Sequence, residues 1–386
     1  MFKGIDYYDI ESELSAQACQ VRDRARAFVE EEVLPVIREH YRAGTFPVDL
    51  VTRMGELGML GAGLSGYGLP GLDSFSYGVM MRELERGDSA MRSFASVQGA
   101  LVMYPILAFG SESQKQHWLP LLASGRKIGC FALTEPGYGS NPAGMTSRAV
   151  REGNEYILSG TKMWITNGSI ADLALVWARL DGVIRGFLVE RGAPGFSAKE
   201  ITGKLSLRAS NTGTLILNGA RLPEENILPA AFGLSASLAC LNNARYGIAW
   251  GALGAAMACF EEVLEYSGNR EVFGHPMAAY QLSQAKLADM VAGITKGQLL
   301  ALQLARLKES GRLKPEQVSL AKRDNVRMAL EVARSARGML GATGITDWHQ
   351  AMRHMCNLES VETYEGSYEI HTLVMGKDLT GLDAFS

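Results

Sequence analysis

The sequence predicts an α+β protein in which a middle antiparallel β-domain separates an N-terminal from a C-terminal α-helical domain. The first observation is that apolar residues recur at helical spacing in the first and last thirds of the chain. The second is that the middle third contains short apolar runs separated by turn-forming dipeptides, with no helical pattern between them. We therefore place the domains at residues 1–126, 127–229 and 230–386.

The N-terminal third has the pattern of several successive helices. Apolar residues from Val21 to Ile37 fall on one face of a helix. Pro35 is expected to kink or end this helix because its ring removes a backbone hydrogen-bond donor. Asp49 is expected to cap the next helix by accepting a backbone N–H. Further helices are predicted over residues 74–85, 95–108 and 112–124.

Turn-forming dipeptides divide the middle of the chain into strands. Such dipeptides adopt positive φ easily and mark turns between antiparallel strands. Strands that follow one another about every ten residues, without helices between them, favour a sandwich or barrel over parallel βαβ units. The dipeptides are Gly153-Asn154, Asn167-Gly168, Asp181-Gly182 and Asn218-Gly219.

Helical periodicity returns after about residue 230. The segments Leu282–Leu307 and Glu316–Leu340 each predict a long helix. The alanine-rich run Trp250–Ala258 has small side chains that let neighbouring helices approach closely. The last third is therefore expected to be a domain of packed helices.

The bulk composition is that of an ordinary globular protein. Of the 386 residues, 47% are hydrophobic and 20% are charged. The net charge of −3 gives no reason to expect nucleic acid or an anionic membrane as a partner. No run of about 18 apolar residues predicts a membrane span. The start, MFKGIDYYDIESEL, has the pattern of neither a signal peptide nor a transit peptide, so we expect a cytoplasmic protein.

Cysteine and histidine usage gives no sign of a metal site. The five cysteines are scattered and form no CxxC pair. Scattered single thiols fit a reducing compartment. The six histidines show no HExxH pattern, so we expect neither a zinc nor a di-iron site.

The segment Gly66–Gly71 matches the nominal dinucleotide-binding pattern GxGxxG but lacks its structural context. That use requires a preceding buried strand and a following helix within a βαβ unit. The preceding residues have the pattern of a helix end, and Pro70 lies inside the loop. We interpret the segment as a glycine-rich loop between helices.

The segment Asn357–Lys377 contains the strongest candidate for a catalytic base. Glu365 lies there between Tyr364 and Gly366, and a carboxylate among aromatic and aliphatic side chains can lose its solvent. Desolvation raises the pKa of a carboxylate and makes it a better base near neutral pH. Gly366 has no Cβ and lets the backbone approach a bound molecule. The alternative is a solvated acidic start of a helix, and the residues alone leave both interpretations open.

Three other segments could bind ligands, and each has a structural alternative. The Gly- and Pro-rich turn in Cys130–Met145 could hold a phosphate or a polar ring edge with its backbone N–H groups, or be an ordinary strand-to-turn transition. Trp164 in the string KMWITNG could stack on a flat heteroaromatic ligand, or be a core residue. Arg92 could bind a carboxylate bidentately, or form a surface salt bridge with Glu85 or Asp88.

Single residues in the helical C-terminal third are less informative. Arg270, in the string NREVFG, could bind a ligand or only balance Glu265 or Glu271. The turn from Gly341 to Gly344 could approach a ligand or only cap a helix.

Taken together and in this order, these segments resemble the acyl-CoA dehydrogenase family over nearly the whole chain. Several such motifs at family-like spacing are far more specific than any one alone. The similarity is strongest to the members that oxidise glutaryl-CoA. The strings that carry it are RELERGDSAMRS, GCFALTEPGYGSNP, GTKMWITN, KLSLRASNTG, CLNNARYGIAWG and NLESVETYEGSYEIHTL.

The resemblance implies the fold, the cofactor and the partners. The family fold is an N-terminal helical domain, a middle β-domain and a C-terminal four-helix bundle, in the order predicted above. FAD is the implied cofactor, an acyl-CoA thioester is the substrate, and an electron-transferring flavoprotein is the acceptor. A homotetramer built from dimers is implied, as is a role in lysine and tryptophan degradation.

The resemblance also assigns the chemistry. Glu365 is implied to be the base that removes the α-proton of the thioester, while the β-hydrogen leaves as hydride to flavin N5. The thioester carbonyl would accept a hydrogen bond from the backbone N–H of Glu365, which stabilises the enolate-like charge. Arg245 and Gly366 would lie beside the base, at the substrate.

The resemblance divides the cofactor-binding residues into two groups, with Ser367 and Glu369 as further cofactor contacts. Dimerisation would complete the cofactor site, so an isolated monomer should bind FAD poorly. The first group would line the flavin and reach its pyrophosphate: Phe131, Leu133, Thr134, Ser140, Trp164 and Thr166. The second group would hold the FAD of a neighbouring subunit: Arg270, Phe273, Gln281, Gly341 and Gly344.

Arg92 is the residue that discriminates between substrates. The resemblance implies that it binds the terminal carboxylate of a five-carbon dicarboxylyl group, together with Ser96, Glu85 and Tyr364. It further implies that glutaconyl-CoA loses CO2 to give crotonyl-CoA, because the vinylogous thioester accepts the electrons left on Cγ. The alternatives are an enzyme that stops at glutaconyl-CoA and a dehydrogenase of simple short-chain acyl-CoA, in which Arg92 is an ion-pair residue.

Two residues depart from the family pattern. Asn141 stands where many relatives have Asp, and Ser367 stands where many have Thr. Both keep a polar side chain, so we expect modest effects on FAD or CoA binding.

Overall fold

The computed structural model describes residues 5–384 and places a β-sheet between two helical parts. The N-terminal part contains seven α-helices, and π-helical turns follow the first and the fifth of them. Those helices are α1 (Ala16–Phe28), α2 (Leu34–Ala43), α3 (Leu50–Glu56), α4 (Ser74–Gly87), α5 (Ser89–Ser96), α6 (Tyr104–Phe109) and α7 (Glu112–Ala123).

The structure corrects two details of the N-terminal prediction. Pro35 does not end the helical path, which continues from α1 through the π-helical turn Val29–Val33 into α2. Pro35 lies directly after the π-helical turn, so its missing N–H falls where the hydrogen-bond pattern of the helix changes. Asp49 precedes α3 but makes no side-chain capping bond, because its backbone is already helical, with φ −62° and ψ −23°.

The glycine-rich segment between α3 and α4 is a small hairpin. Strand β1 (Ser65–Gly66) pairs antiparallel with β2 (Leu69–Pro70). Within residues 5–384 these two strands pair only with each other, so the segment is not part of a βαβ unit. The prediction against a dinucleotide-binding loop therefore agrees with the topology.

The middle part is a seven-stranded sheet in which β6 is bordered by β3, β4 and β7. The prediction of a purely antiparallel domain is wrong in one respect, since β6 runs parallel to β3 and to the start of β4. Two strands separate β3 from β6 along the chain, which provides the long crossover that a parallel pair requires. The strands are β3 (Gly129–Ala132), β4 (Arg148–Glu152), β5 (Glu155–Thr166), β6 (Leu173–Leu180), β7 (Val183–Glu190), β8 (Phe196–Glu200) and β9 (Thr212–Pro223).

Three of the predicted turn dipeptides end strands, and one does not. Gly153-Asn154 joins β4 to β5, Asp181-Gly182 joins β6 to β7, and Asn167-Gly168 follows β5. Asn218-Gly219 lies inside β9 instead, at a register shift opposite Leu158. Gly219 has φ +66° there and is the extra residue of a β-bulge, a second use of the same left-handed conformation.

As far as residue 384, the C-terminal part contains five α-helices, with a small hairpin after the first of them. The hairpin pairs β10 (Glu271–Val272) with β11 (His275–Pro276). The helices are α8 (Gly233–Asn269), α9 (Gln281–Glu309), α10 (Pro315–Met339), α11 (Ala351–Thr363) and α12 (Tyr368–Thr380).

Helix α8 lies at the centre of the molecule and contacts α4, α9 and α10. Its length and a mean hydropathy of 1.3 over its most apolar stretch would suffice to cross a membrane, which the sequence-based expectation did not foresee. However, 83% of that stretch is buried inside the protein, as in the core helix of a soluble protein. Glycine makes the packing close: a Cβ on Gly254 would lie 1.8 Å from the carbonyl oxygen of Arg82.

Candidate active site

Glu365 lies in the loop between α11 and α12, in a backbone conformation that is rare for a residue with a side chain. Its φ is +53°, and that of Gly366 is +95°. Ser367 then caps α12 by accepting a hydrogen bond from the N–H of Ile370. A strained residue of this kind costs about 1–3 kcal/mol, so the surroundings must hold it in place.

The carboxylate of Glu365 is buried rather than solvated. Its Oε2 atom is shielded from solvent and has no hydrogen-bond partner. Burial raises the pKa of Glu365, and the positive charges of Arg92, Arg245 and Lys322 offset only part of that rise. The alternative of a solvated acidic helix start therefore does not describe this residue. A desolvated carboxylate with an open oxygen can act as a general base.

Arg245 holds the carbonyl side of the same loop. Its Nε donates to the backbone carbonyl of Glu365 over 2.6 Å. Gly366 is needed at the next position, because a Cβ there would lie 2.8 Å from Nε2 of His371 and 3.3 Å from Nη2 of Arg245. The structure thus places the predicted residues Arg245 and Gly366 beside Glu365.

Lys322, on α10, is the second cation that holds the loop. It is 1% exposed. Its Nζ donates three hydrogen bonds, to the carbonyl oxygens of Glu362 (3.1 Å), Tyr364 (3.1 Å) and Gly366 (2.8 Å). Burial lowers the pKa of Lys322 to about 7. The sequence analysis missed this residue.

Arg92 is fully buried on α5 and pairs with Glu85 on α4. Its Nε lies 2.6 Å from Oε2 of Glu85, while Ser89 donates to the other Glu85 oxygen over 2.8 Å. Nη2 of Arg92 donates to the hydroxyl of Tyr364, the residue before the base. The alternative of a surface salt bridge is wrong about the location, since the pair is buried, and Asp88 binds a different arginine.

Two polar atoms on α5 are buried without a partner: Nη1 of Arg92 and Oγ of Ser96. The two residues are four positions apart and lie on the same face of the helix. An unpaired buried polar group costs about 1–3 kcal/mol, so both atoms favour a ligand that pairs with them. A carboxylate has two acceptor oxygens and matches a guanidinium N–H beside a hydroxyl.

The buried pair of Arg92 and Glu85 depends on the space that a glycine leaves on α8. A Cβ on Gly251 would lie 2.1 Å from Oε2 of Glu85 and 3.1 Å from Nε of Arg92. Any side chain at this position would therefore displace the pair. The sequence analysis missed Gly251, because it took the small residues of this run as a sign of close helix packing only.

A bulge in β5 turns Trp164 toward solvent. The register with β9 shifts between Lys162 and Ile165, and Trp164 has φ +61°. A bulge adds one residue to a strand and re-aims a side chain. Trp164 is 57% exposed although it lies within a strand, so the alternative of a core tryptophan is wrong.

The Gly- and Pro-rich turn after β3 lies directly beside this part of β5. The N–H of Met163 donates to the carbonyl of Thr134 over 2.9 Å. Lys162 donates to the carbonyl of Leu133 (3.0 Å) and to the carboxylate of Glu135 (2.9 Å). Glu135 also accepts two backbone N–H groups from the far end of the turn. Lys162 and Glu135, which the sequence analysis missed as functional residues, therefore brace the predicted flavin segments against each other.

The first predicted cofactor group divides by exposure. Phe131 and Leu133 are 9% and 6% exposed and pack into the core, which leaves them little side-chain surface for a ligand. Asn141 begins a 3₁₀ turn with its backbone and makes no side-chain capping bond. The members of the group whose side chains keep solvent contact are Thr134, Ser140, Trp164 and Thr166.

The second predicted cofactor group lies near the ends of the C-terminal helices and is exposed except for Gly344, which is buried. Phe273 is 93% exposed between β10 and β11, with φ +51°. Arg270 is also exposed, and Gln281 begins α9. Gly341 and Gly344 lie in the turn that follows α10. A single exposed apolar side chain is common on protein surfaces, so this exposure shows only that the ring is accessible.

The two cofactor residues predicted after the base differ in their contacts. Ser367 is engaged in capping α12, as described above. Glu369, in the first turn of α12, is exposed, and a hydrogen bond with Ser367 lowers its pKa. The hydroxyl at position 367 thus has a structural use in this chain.

A surface cavity of about 350 Å³ lies away from these residues, between the start of α2 and the start of α11. Arg38, Trp348 and Arg353 are among its lining residues, and none of the predicted site residues is. Glu262 at its base already binds His349 and two backbone N–H groups. The chemistry argued above therefore does not involve this cavity.

Family models match almost the whole chain. The N-terminal domain of acyl-CoA dehydrogenase matches residues 15–126, its middle domain residues 130–220 and its C-terminal domain residues 232–380. The order of helical, β and helical parts in the structure is the order of these three family domains. The chain belongs to the acyl-CoA dehydrogenase family.

Individual relatives extend the similarity. The short-chain specific acyl-CoA dehydrogenase of Rattus norvegicus mitochondria is 36% identical over 369 residues, which cover 93% of this chain and 89% of the relative. A crystal structure of glutaryl-CoA dehydrogenase from Mycobacterium smegmatis is 54% identical, with a TM-score of 0.98 and full coverage of both chains. A structure of a glutaryl-CoA dehydrogenase from the same organism in complex with FADH2 is 50% identical, with a TM-score of 0.99 and full coverage of both chains.

The residues of the middle domain fit a flavin. The bulge at Trp164 presents a flat apolar face, and the hydroxyls of Thr134 and Thr166 flank it with hydrogen-bonding groups. The exposed Gly- and Pro-rich turn next to Thr134 supplies backbone N–H groups for phosphate. These residues would hold FAD, whose bound form accepts a hydride.

Proposed function

We propose that this chain oxidises glutaryl-CoA with FAD as cofactor and decarboxylates the product to crotonyl-CoA and CO2. The observation that carries the proposal is the pair of unpartnered buried atoms, Nη1 of Arg92 and Oγ of Ser96. Arg92 is connected to the segment that contains Glu365, because its other terminal nitrogen, Nη2, donates to the hydroxyl of Tyr364. The high similarity to two Mycobacterium smegmatis structures described as glutaryl-CoA dehydrogenase supports the same substrate.

In the proposed reaction, Glu365 removes the α-proton of the acyl thioester. Its Oε2 has no partner, and burial raises its pKa above the ordinary value, so the carboxylate is a strong acceptor for that proton. The thioester carbonyl accepts a hydrogen bond from the backbone N–H of Glu365. This bond stabilises the negative charge that develops on the oxygen as the proton leaves.

The hydrogen on the β-carbon leaves with its electron pair, and bound FAD supplies the acceptor for this hydride. The chain keeps the reacting atoms aligned from two sides. Trp164 and the threonines of the middle domain hold the cofactor, while the clamped loop of Glu365 holds the base. Alignment of this kind lowers the barrier by removing the entropy cost of bringing the groups together.

Arg92 and Ser96 bind the terminal carboxylate before and after the oxidation. In the oxidised thioester, the bond between Cγ and the carboxylate breaks and its electron pair enters the conjugated system as a dienolate. CO2 leaves, and protonation of Cγ gives crotonyl-CoA. The proton that Glu365 took from the α-carbon balances this last step.

A second candidate is a dehydrogenase of simple short-chain acyl-CoA. The observation that favours it is the 36% identity to the short-chain specific enzyme of Rattus norvegicus. In that function Arg92 would serve only as the partner of Glu85, and Nη1 would stay unpaired while substrate is bound. A glutaryl-CoA dehydrogenase that does not decarboxylate is a case between these two functions. In it Arg92 would bind the carboxylate, but the reaction would stop at glutaconyl-CoA.

We also propose a cytoplasmic homotetramer that passes its electrons to an electron-transferring flavoprotein and serves lysine and tryptophan degradation. The exposure of Arg270 and Phe273 supports the oligomer, because a neighbouring subunit's FAD would cover both side chains. Light scattering on the FAD-loaded protein tests the homotetramer. A monomer that retains stoichiometric FAD would contradict it.

Product analysis tests the central proposal. The purified protein is mixed with glutaryl-CoA and an artificial electron acceptor, and the thioester products are weighed by mass spectrometry. We expect crotonyl-CoA together with released CO2. Glutaconyl-CoA alone would retain the roles of Arg92 and Glu365 and reject the decarboxylation. Turnover of butyryl-CoA without turnover of glutaryl-CoA would establish the short-chain function instead.

A further inference from the structure

Four carbonyl groups of the segment around Glu365 accept hydrogen bonds from cations. Lys322 uses its three donors on the carbonyls of Glu362, Tyr364 and Gly366, and Arg245 binds that of Glu365. A lysine ammonium has three N–H groups, so no donor of Lys322 is left for another partner. A buried lysine with this arrangement is bound to backbone alone.

The direction of one of these carbonyls matters for the reaction. No cis peptide bond occurs within residues 5–384. In a trans peptide unit the C=O and the following N–H point in opposite directions. The carbonyl of Tyr364 points at Lys322, so the N–H of Glu365 points away from Lys322 and from α10. This N–H is the donor that the proposed reaction assigns to the thioester oxygen.

Lys322 also stabilises the conformation that makes this orientation possible. Glu365 and Gly366 are two successive left-handed residues, and the first of them is strained. The three bonds of Lys322 begin before this turn, at Glu362, and end after it, at Gly366. Loss of the ammonium would free several carbonyls at once and let the turn relax.

The charged and titratable groups facing the base come from several helices. Arg92, Arg245 and Lys322 are the cations whose charges lower the pKa of Glu365. His371 has its pKa lowered to about 3 by burial and is neutral in the working range of pH. The groups that face Glu365 are Tyr77 on α4, Arg92 on α5, Arg245 on α8, Lys322 on α10, Tyr364 in the loop and His371 on α12.

We propose that Lys322 is a positioning residue of the oxidation, which fixes the carbonyl of Tyr364 and thereby aims the N–H of Glu365 at the thioester oxygen. Its charge also favours the ionised form of the base. The inference rests on the proposed role of Glu365. It adds a residue whose three donors all bind backbone carbonyls of the loop and whose charge acts on the base from there.

The test compares Lys322→Met with Lys322→Arg in the FAD-loaded protein. We expect Lys322→Met to lower kcat for glutaryl-CoA about 100-fold, the loss that follows a small misplacement of reacting groups, with a smaller change in KM because the Arg92 end is intact. The acid limb of its kcat–pH profile moves to higher pH, because a positive charge near Glu365 is gone. Lys322→Arg keeps the charge, so it leaves the acid limb in place and restores part of kcat.

Lys204→Met is the matched control. Lys204 is also largely buried, its pKa is also lowered, to about 8, and it also donates to loop carbonyls, those of Leu207 and Ser210. These carbonyls lie outside the Glu365 loop. We expect Lys204→Met to lower thermal stability without moving the acid limb. Equal effects of the two Met variants on kcat and on the pH profile would reduce Lys322 to a structural lysine and overturn the proposal.

Two further variants keep the outcome decidable. If Lys322→Met does not fold, Lys322→Gln provides a neutral side chain that can still donate two hydrogen bonds, and an acid limb that stays in place together with a wild-type kcat would overturn the proposal. Glu365→Gln separates this inference from the function it rests on. Turnover retained in Glu365→Gln rejects the base itself, whereas its loss beside an unaffected Lys322→Met rejects only the positioning role.

Discussion

Two fully buried cations flank the base, and they are used in opposite ways. Arg92 binds one carboxylate and one hydroxyl and keeps Nη1 without a partner. Lys322 binds three backbone carbonyls and has no N–H left for another partner. A buried donor without a hydrogen-bond partner costs free energy, and a ligand that accepts from it can remove that cost. A donor whose hydrogen bonds are all made within the protein stabilises the fold itself. Under the proposed function, Arg92 is therefore the cation that selects substrates, and Lys322 is the cation that holds the loop of Glu365.

The choice of side chain follows from the same difference. Burial lowers the pKa of Lys322 to about 7, so its charge depends on pH. The pKa of Arg92 is raised despite its burial, because Glu85 and Tyr364 favour the charged form. A guanidinium therefore keeps its charge for a dicarboxylyl substrate at every working pH. A lysine suffices where only carbonyl groups have to be held.

The largest expected effect lies between the two cations, at the base. We expect Glu365→Gln to lower kcat about 10⁴-fold for glutaryl-CoA and butyryl-CoA alike, the upper range for loss of a general base. The substitution keeps the shape of the side chain, so FAD should remain bound, as absorbance of the purified variant will show. A variant that binds FAD and still turns over either substrate would refute the assignment of Glu365 as the base.

The next effect separates the substrates. We expect Arg92→Gln to lower kcat/KM for glutaryl-CoA about 100-fold or more, because a carboxylate loses its charged partner, and to change that for butyryl-CoA much less. The ratio of the two constants is the measurement. Arg26→Gln is the control, since Arg26 also pairs with a buried glutamate, Glu83, over 3.0 Å, outside the site. Equal losses for the two substrates in Arg92→Gln would contradict the carboxylate role.

The fold could be predicted from the sequence because apolar residues recur at regular spacing over long segments. The helical parts and the strands occupy the places expected from patterns of about 3.6 and 2 residues. The wrong predictions concern places where the backbone conformation depends on neighbouring strands or turns and not on the local residues alone. Asn218-Gly219 has the composition of a turn but forms a bulge inside β9, because its strand continues on both sides. Likewise, Pro35 is tolerated at the start of α2 rather than breaking a helix.

Within the site, the residues carrying familiar motifs could be predicted, and those acting through the backbone could not. Glu365 and Arg92 stand in recognisable strings, but Lys322 stands among ordinary helix residues. A signal was nevertheless present, because Val318 and Val326 lie four positions to either side and all three side chains are buried. A lysine within an apolar stripe must find partners in the core, and only the folded chain shows that they are carbonyls.

A smaller effect is expected from the glycine that makes room at the Arg92 end. We expect Gly251→Ala to lower kcat/KM for glutaryl-CoA about tenfold, because its Cβ would push Glu85 and Arg92 off their positions, and to affect butyryl-CoA less. Gly268→Ala, in the same helix, is the control because nothing lies within 4 Å of the added Cβ. Similar behaviour of the two alanine variants would show that the spacing of the buried pair does not set specificity.

The smallest effect is a displacement of the pH profile of kcat. It depends on the charges of both Arg92 and Lys322, because both act on the pKa of Glu365. Glu365 is active when ionised, and burial raises its pKa, so kcat should fall on the acid side at a higher pH than for an exposed glutamate. Arg92, Arg245 and Lys322 each lower that pKa, so removing one of these charges moves the acid limb further up. Arg92→Gln should show this shift with butyryl-CoA, whose binding does not need the guanidinium. The control Arg26→Gln should keep the wild-type limb, and an Arg92→Gln limb that also stays at the wild-type pH would mean that Glu365 does not sense this charge.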